Sequence, residues 1–372
     1  MNAPHLISTC LQNYPPSSSN YPEKIEKSMN GKLDSCRKVC NDYELSRTYR
    51  IEGMTLSMAI KKFLQLVEIK TKTASMIPFL FGTVYAIFRF QAFKPEHFLL
   101  MLFSLLSFDM ATTALNNFYD YKKAARKHGY GYEIHNPIVS HRMKPARVVL
   151  LIGVLLLIAV SAGIALVFKT DLLILLLGGL SFAVGILYSF GPIPISRMPL
   201  GEIFSGLFMG FVIMFISAYI QAGDRLASLV LEGGVVVLQV HLLEVVLLFF
   251  VSIPAILGIA NIMLANNICD IEEDIENKRY TLPVYIGRAN ALMLFRLLYY
   301  VGFIDLIVLI FLGVNPLLCL LTLLTLIPIN KNIGRFTRLQ TKKDTFGLAV
   351  KNFMMMNGAR IIVLTAAILI SL

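Results

Sequence analysis

The sequence predicts an all-α membrane protein, a bundle of about nine transmembrane helices. Hydrophobic residues make up 56% of the 372 residues and charged residues only 15%, whereas a soluble domain carries about 25% charged residues. The apolar residues form blocks near the length of about 20 residues that a helix needs to cross a bilayer. We expect spans at 75–92, 97–116, 147–168, 172–190, 201–222, 245–267, 290–312, 314–330 and 351–371.

The chain divides by composition into two predicted parts. Residues 1–52 are polar and rich in Ser, Asn and Lys, which is typical of a disordered tail. Residues 53–372 form the predicted transmembrane domain. At its start, residues 53–74 are amphipathic, and this pattern fits equally a helix on the membrane surface or a helix packed against a cytoplasmic loop.

Basic residues are concentrated in alternate loops. If the N-terminus is placed inside, the inside segments contain 28 of the 34 Lys and Arg residues. This asymmetry follows the positive-inside rule and predicts a multi-pass protein of the cell membrane with a cytoplasmic N-terminus. It also accounts for the net charge of +11 without nucleic acid as a partner. The sequence leaves the oligomeric state open.

Two short acidic clusters lie at the cytoplasmic ends of predicted spans. One runs from Asn116 to Asp120, and the other runs from Asn266 through Asp270 to Asp274. Within each cluster these residues are four apart, so they share one helix face. Carboxylates at a membrane boundary are costly unless they hold a cation, a proton or a counter-charge. Mg²⁺ suits such oxygen ligands, and we expect Asn116, Asp120, Asp270 and Asp274 to bind it, with Asp120 and Asp270 facing one cavity.

Cations surround both acidic clusters. They are Lys122, Lys123, Arg126, Lys127, Lys278, Arg279 and Arg288. A ligand whose phosphates are bridged by Mg²⁺ needs both signs of charge, since Arg and Lys bind phosphate oxygens. A cation transporter would not place so many cations here, and its carboxylates would be expected at the bilayer midplane. The simpler alternative is a set of helix-end carboxylates that only faces cytoplasmic lysines.

Further stretches extend the pattern from about residue 60 to residue 372. They are Glu68–Lys72 with Pro78 and Gly82, His135–Ser140 with Lys144 and Pro145, Tyr188–Pro194 with Arg197, Gly201 and Glu202, and Asn267–Arg279 with Thr281, Leu282 and Ile286–Arg288. Together with the two clusters, they resemble the UbiA superfamily of intramembrane prenyltransferases. The resemblance is closest to the branch that prenylates 1,4-dihydroxy-2-naphthoate.

The resemblance implies a Mg²⁺-dependent enzyme that transfers an isoprenyl group from a prenyl diphosphate to an aromatic acceptor, 1,4-dihydroxy-2-naphthoate in menaquinone biosynthesis. The acceptor could instead be 4-hydroxybenzoate or haem, and a non-enzymatic cation-coupled membrane transporter is the alternative from another class. The implied catalytic residues are Asn116, Asp120, Asp270 and Asp274. The implied substrate-binding residues are Glu68, Lys72, Asp109, Asn117, Lys122, Lys123, Arg126, Tyr188, Arg197, Glu202, Asn266, Asn267, Lys278 and Arg279.

One departure from the family pattern concerns the first cluster. The family usually carries another Asp about two helical turns after the position of Asp120, whereas this chain has no acid there until Glu133. Glu133 could substitute, Asn116 and Asp120 could hold the metal alone, or Lys123 or Arg126 could contact the diphosphate directly. The number of Mg²⁺ ions therefore stays open, and a catalytically inactive binding relative is a third class of function.

Overall fold

The computed structural model describes residues 58–123, 136–189 and 195–371. The predicted tail, 1–52, lies outside the described residues. Residues 58–66 of the amphipathic segment are helical, and a 3₁₀ turn over Ile69–Lys72 leads into the first span.

Helices account for all the predicted spans in the described part of the chain. They are α1 Thr73–Phe90, α2 Pro95–Lys123, α3 Pro145–Lys169, α4 Leu172–Ser189, α5 Gly201–Arg225, α6 Leu242–Cys269, α7 Leu282–Phe311, α8 Pro316–Arg338 and α9 Phe346–Ser371. Eight are long and apolar enough to cross a membrane, and α4 supplies a shorter apolar helix, Leu172–Tyr188. The prediction of a polytopic helical bundle with about nine spans is confirmed, and the chain is a multi-pass membrane protein.

Prolines mark where several of these helices begin. Pro95, Pro145 and Pro316 are the first residues of α2, α3 and α8, and Pro283 lies in the first turn of α7. Proline is favoured at this position because the missing N–H would have no partner inside the helix anyway. The sequence signal for the start of these spans is therefore local.

The order of the spans brings both acidic clusters to one end of the bundle. The clusters are at the C-terminal ends of α2 and α6, two even-numbered spans that run in the same direction. At this end, Asn267 of α6 donates a hydrogen bond to Glu202 at the start of α5 (2.8 Å). At the opposite end, Arg89 of α1 pairs with Glu244 of α6. The acidic ends of α2 and α6 therefore share one face of the membrane.

A β-hairpin between α5 and α6 is a departure from the predicted all-helical chain. Strand β1, Ala227–Glu232, pairs antiparallel with β2, Val235–Val240. The two residues between them, Gly233 and Gly234, have φ values of 56° and 83°, and a tight two-residue hairpin turn requires such positive φ values. The apolar run of β2 is too short to cross a bilayer, and pairing with β1 satisfies its backbone.

Helices α5 and α6 approach each other closely because two glycines lie between them. Residues Gly206–Val212 of α5 form a π-helical stretch, a wide turn that often occurs at functional sites. A Cβ atom added to Gly210 would lie 2.6 Å from the backbone N of Ile256 in α6, and one added to Gly206 would lie 2.7 Å from the Ile256 carbonyl oxygen. Small residues four apart permit this kind of close helix contact in membranes.

The substitution Gly210→Ala is expected to destabilise the protein by about 1–3 kcal/mol, because rigid backbone atoms of α6 leave no room for the added methyl group. The measurement is thermal unfolding of the purified chain in detergent. Gly153→Ala is the matched control, since a Cβ there meets nothing within 4 Å. Equal melting temperatures for the two variants would contradict this account of the contact.

A buried ion pair joins α7 to α9. Arg360 and Asp305 are both fully buried, and the guanidinium contacts both carboxylate oxygens at 2.9 and 3.0 Å. The same guanidinium donates to the carbonyl oxygens of Gly302 and Met356 and lies over the Phe303 ring. Charges inside a membrane protein face the bundle interior and pair with one another. This pair holds α9 to α7 just after the interruption of α7 between Val301 and Asp305.

Candidate active site

The second acidic cluster is buried and already neutralised by nearby cations. Asp270 directly follows α6, and Asp274 lies in the short helix Ile271–Glu276 that comes next. Asp270 pairs with Lys342 at 2.6 Å. Asp274 accepts a hydrogen bond from the Thr281 hydroxyl (3.0 Å) and lies 3.4 Å from Arg279 Nε. Both predicted carboxylates thus stand at one site, each with its own cation.

The surroundings of Asp274 disfavour its negative charge. Burial raises the pKa of Asp274 above its ordinary value, and the charge of Asp270 raises it further, while Arg279 and Thr281 lower it. Burial is the largest of these effects, because a carboxylate loses its hydration in a low-dielectric site. A divalent cation beside the two carboxylates would relieve this cost.

The first acidic cluster divides into two faces of α2. Asn116 and Asp120 are both exposed, as expected for residues four apart. Asn117 is buried and turned away from them, and its amide donates to the carbonyl oxygen of Leu66 (3.0 Å) and to a carboxylate oxygen of Glu68 (3.2 Å). Asn117 and Glu68, both predicted substrate ligands, are thus engaged with each other where the chain enters α1.

Two arginines lie near the first acidic cluster, and one of them also reaches the second. Arg197 and Arg279 both lie close enough to Asp120 for their charges to act on its carboxylate. Arg279 also pairs with Asp274 of the second cluster. The backbone holds the two arginines near each other, because Tyr280 N donates to the carbonyl oxygen of Arg197 (3.2 Å). Arg279 therefore acts on a carboxylate of each cluster.

A buried carboxylate of α5 lies beside the second cluster. Glu202 accepts a hydrogen bond from Asn267 through Oε1 (2.8 Å), whereas its Oε2 is buried and has no hydrogen-bond partner among the described residues. Its charge acts on Asp274 as a neighbour. Tyr188 accepts a hydrogen bond from Ser205 and lies within electrostatic range of Glu202. A buried polar atom without a partner is costly, so Glu202 Oε2 is suited to a ligand.

Lys72 and Asp109 bind each other across α1 and α2. The ammonium of Lys72 lies 2.6 Å from Asp109 Oδ1 and 2.6 Å from the Thr113 hydroxyl, and it is buried. The second oxygen of Asp109 accepts from Ser75 at 2.5 Å. Lys72 and Asp109, both predicted substrate ligands, therefore already have each other as protein partners. The spacing of the sequence does not reveal this pairing.

Two neighbouring cavities lie between the spans. The first, of about 260 Å³, has polar residues on its wall, among them Ser75, Asp109, Asn116 and Tyr188. The second, of about 250 Å³, is lined almost entirely by apolar residues of α2, α3 and α4. Both cavities are lined by Leu105, Phe108, Ser181 and Ile213. A cavity with polar groups on its wall thus lies next to an apolar cavity.

The acidic residues differ in their relation to the polar cavity. Asn116 lines it, whereas Asp120 and Asp270 are not among its lining residues. A cavity shared by Asp120 and Asp270 therefore stays a prediction.

The remaining predicted residues are more peripheral or are not described. The Lys122 ammonium lies 5.1 Å from the centre of the Phe118 ring. Lys278 is exposed and Asn266 is half-buried. Arg126, Glu133 and the side chain of Lys123 lie outside the described residues.

Lys342 and Thr281 are site residues that sequence reasoning did not select. Thr281 follows the second cluster closely and was visible as part of the motif. Lys342 comes from the loop between α8 and α9, and its local sequence does not distinguish it from Lys343. Only the tertiary fold could bring that lysine to Asp270.

The donor set fits Mg²⁺ in one particular way. Among the described residues, no three His, Cys, Asp or Glu side chains converge on a point that could hold a metal ion. Mg²⁺ is commonly bound by one or two carboxylates, several waters and the phosphates of its substrate. Asp270 and Asp274 can supply those carboxylates, so the residues present suit a metal that arrives with a phosphate ligand.

Comparison with known proteins decides the family. A family model described as the UbiA prenyltransferase family matches residues 75–357. The chain belongs to this family. It is also 34% identical over 252 residues to 1,4-dihydroxy-2-naphthoate octaprenyltransferase of Bacillus subtilis (strain 168). The aligned residues cover 67% of this chain and 73% of that relative. The predicted assignment to a prenyltransferase of this family is thus confirmed.

Solved structures of the family share the fold of this UbiA chain. A UbiA homologue from Archaeoglobus fulgidus bound to GPP and Mg²⁺ aligns with a TM-score of 0.56 and 17% identity, over 82% of this chain and 99% of the homologue. The apo structure of a UbiA homologue from Aeropyrum pernix K1 aligns with a TM-score of 0.56 and 19% identity, over 80% and 97% of the two chains. The arrangement of spans in this family member is therefore the family fold.

Proposed function

We propose that this UbiA family member transfers a polyprenyl group from its diphosphate to 1,4-dihydroxy-2-naphthoate, with Mg²⁺ as the required cofactor. The observation that carries the proposal is the joint site of Asp270, Asp274 and Asp120, linked by Arg279 at one end of the bundle. The family, the named relative from Bacillus subtilis, and the Archaeoglobus fulgidus homologue solved with GPP and Mg²⁺ support the proposal.

Asp270 and Asp274, with Asn116 and Asp120 across the site, would hold the metal and so orient the diphosphate. Bound Mg²⁺ would act as a Lewis acid that neutralises the leaving diphosphate. Arg279 and Arg197 lie close enough to Asp120 for their charges to act on it, and such guanidinium groups can bind phosphate oxygens. These fixed charges stabilise the leaving group as the allylic C–O bond breaks, because they are positioned before the reaction begins.

The acceptor is proposed to bind at the polar cavity. Asp109 and Asn116 line it together with Tyr188, whose aromatic ring can stabilise an allylic cation. Glu202 is hydrogen-bonded on one oxygen only, so its second oxygen is available to orient an acceptor hydroxyl. The electron-rich ring attacks the allylic carbon, and the attacked ring carbon then loses a proton, or its carboxylate as carbon dioxide, to restore the aromatic ring. The apolar walls exclude the water that would otherwise capture the cation.

The isoprenoid tail is proposed to occupy the apolar cavity. Gly178 lines this cavity, and a Cβ there meets nothing within 4 Å. The substitution Gly178→Phe should therefore fill space that a long tail uses. We expect kcat/KM for a long polyprenyl diphosphate to fall by about tenfold, with little change for dimethylallyl diphosphate.

Gly153→Phe is the matched control for this prediction. Gly153 is also open to an added Cβ but is not part of the cavity wall. Steady-state kinetics with short and long donors measure the effect. An equal loss of kcat/KM for both donor lengths, or an equal loss in the control variant, would contradict the proposal that the tail occupies this cavity.

The acceptor is tested with purified protein in detergent. The protein receives a labelled prenyl diphosphate, Mg²⁺ and, separately, 1,4-dihydroxy-2-naphthoate, 4-hydroxybenzoate or haem. Mass spectrometry should find a prenylated product with the naphthoate acceptor. A product formed only from another acceptor would support the prenyltransferase activity but overturn the proposed acceptor.

The acidic face of the bundle is proposed to be cytoplasmic. The support is the concentration of Lys and Arg residues in the loops of that face. A cysteine introduced at Glu273 should react with a membrane-impermeant maleimide only after cells are permeabilised, whereas one at Val236 of the hairpin should react in intact cells. The reverse pattern would invert the orientation.

A further inference from the structure

Lys342 is paired with Asp270, one of the carboxylates that the proposed metal site needs. Its ammonium lies 2.6 Å from Asp270 Oδ2. The other carboxylate, Asp274, has a longer contact of 3.4 Å with Arg279. Arg288 is also near this end of α6, but it is paired with Glu272 at 2.5 Å. Lys342 is therefore the cation in closest contact with Asp270.

The side chain of Lys342 can leave Asp270 without unfolding its loop. Asp270 is buried, whereas half of the Lys342 side chain is exposed, at 51%. The loop backbone on either side is fixed, because Thr341 and Thr345 exchange hydrogen bonds and Asp344 N donates to the Thr341 hydroxyl. Four flexible methylene groups separate the ammonium from that fixed backbone, so the charge can move while the loop stays in place.

We propose that the ammonium of Lys342 takes the place of the metal at Asp270. It pairs with Asp270 when no metal is bound, and Mg²⁺ displaces it when the diphosphate binds. The proposal rests on the proposed function, since it assigns to Asp270 a role in metal binding. After displacement, the ammonium lies next to the incoming diphosphate and binds one of its oxygens. Lys342 is thus a positioning residue for Asp270 and then a ligand of the donor substrate.

The proposal predicts opposite effects on two ligands. Without a diphosphate, Lys342 and a divalent cation compete for Asp270, so Lys342→Met should tighten binding of Mn²⁺ alone. A partly exposed ion pair is worth up to about 1 kcal/mol, which corresponds to tightening of about fivefold. With a diphosphate, the same substitution removes a phosphate ligand. Binding of a thiolodiphosphate analogue of geranyl diphosphate in the presence of Mg²⁺ should therefore weaken.

The experiment measures Mn²⁺ binding by electron paramagnetic resonance on the full chain in detergent, and analogue binding by calorimetry. Lys343→Met is the matched control, because it removes the same charge from the same loop, and Lys342→Arg preserves the pair. Thermal unfolding verifies that each variant is folded.

The expected result is tighter Mn²⁺ binding and weaker analogue binding in Lys342→Met alone. Equal Mn²⁺ affinities for Lys342→Met and Lys343→Met would overturn the proposal, since the effect would be only general electrostatics. If the wild-type chain binds neither Mn²⁺ nor the analogue, the proposed function itself fails and the role of Lys342 falls with it.

Discussion

The substitution Asp270→Asn is expected to lower the rate of prenyl transfer by about a hundredfold to a thousandfold while the chain stays folded. The new amide has nearly the same shape as the carboxylate, but it cannot offer a full negative charge to Mg²⁺. Removal of one preorganised electrostatic group costs about 10²–10³ in rate in other enzymes. Single-turnover kinetics with a labelled prenyl diphosphate measure the loss, and thermal unfolding verifies the fold.

Glu273→Gln is the control for this prediction. Glu273 lies in the same short helix as Asp274, but its side chain is exposed, whereas that of Asp274 is buried. Its loss should leave the rate near that of the wild type. Activity that is retained in Asp270→Asn, or lost equally in both variants, would contradict the assignment of Asp270 to the catalytic site.

The substitution Arg360→Met is expected to cause a large loss of stability. It leaves Asp305 with its charge fully buried and without the guanidinium that contacts both of its oxygens. Removal of one partner of a buried ion pair costs about 3–5 kcal/mol, because the remaining charge is uncompensated. Unfolding in detergent mixtures, followed by circular dichroism, measures the free energy of unfolding.

The double variant Asp305→Leu with Arg360→Met distinguishes the loss of the ion pair from the cost of leaving one buried charge unpaired. Because both charges are then removed, much of the lost stability should return. A double variant that is less stable than Arg360→Met alone would show that the pair itself, rather than the orphaned charge, holds α9 to α7.

Local sequence patterns predicted the spans because length and hydrophobicity are sufficient to define a helix that crosses a bilayer. The same patterns placed Asn116 beside Asp120, and Asp270 beside Asp274, since four-residue spacing on a helix needs no tertiary information. The ends of α2 were less predictable. The helix continues to Lys123, past the apolar block, because polar residues can extend a helix once it leaves the membrane.

Contacts between distant segments could not be predicted. Nothing in the loop between α8 and α9 indicates that Lys342 reaches Asp270, because two spans, α7 and α8, separate the two residues along the chain. The pairing of Lys72 with Asp109 was hidden for the same reason, although both had been selected as substrate ligands. The close contact at Gly210 did have a local signal, the four-residue glycine spacing with Gly206, which membrane helices use for close packing.

The most direct test of the central claim is diphosphate release by the purified wild-type chain, with a polyprenyl diphosphate and 1,4-dihydroxy-2-naphthoate, as Mg²⁺ is added to metal-depleted protein. The account predicts no release without Mg²⁺, release that rises and saturates with Mg²⁺, and one prenylated naphthoate for each diphosphate released. Release that does not depend on Mg²⁺, or no release at any Mg²⁺ concentration with any acceptor, would contradict it.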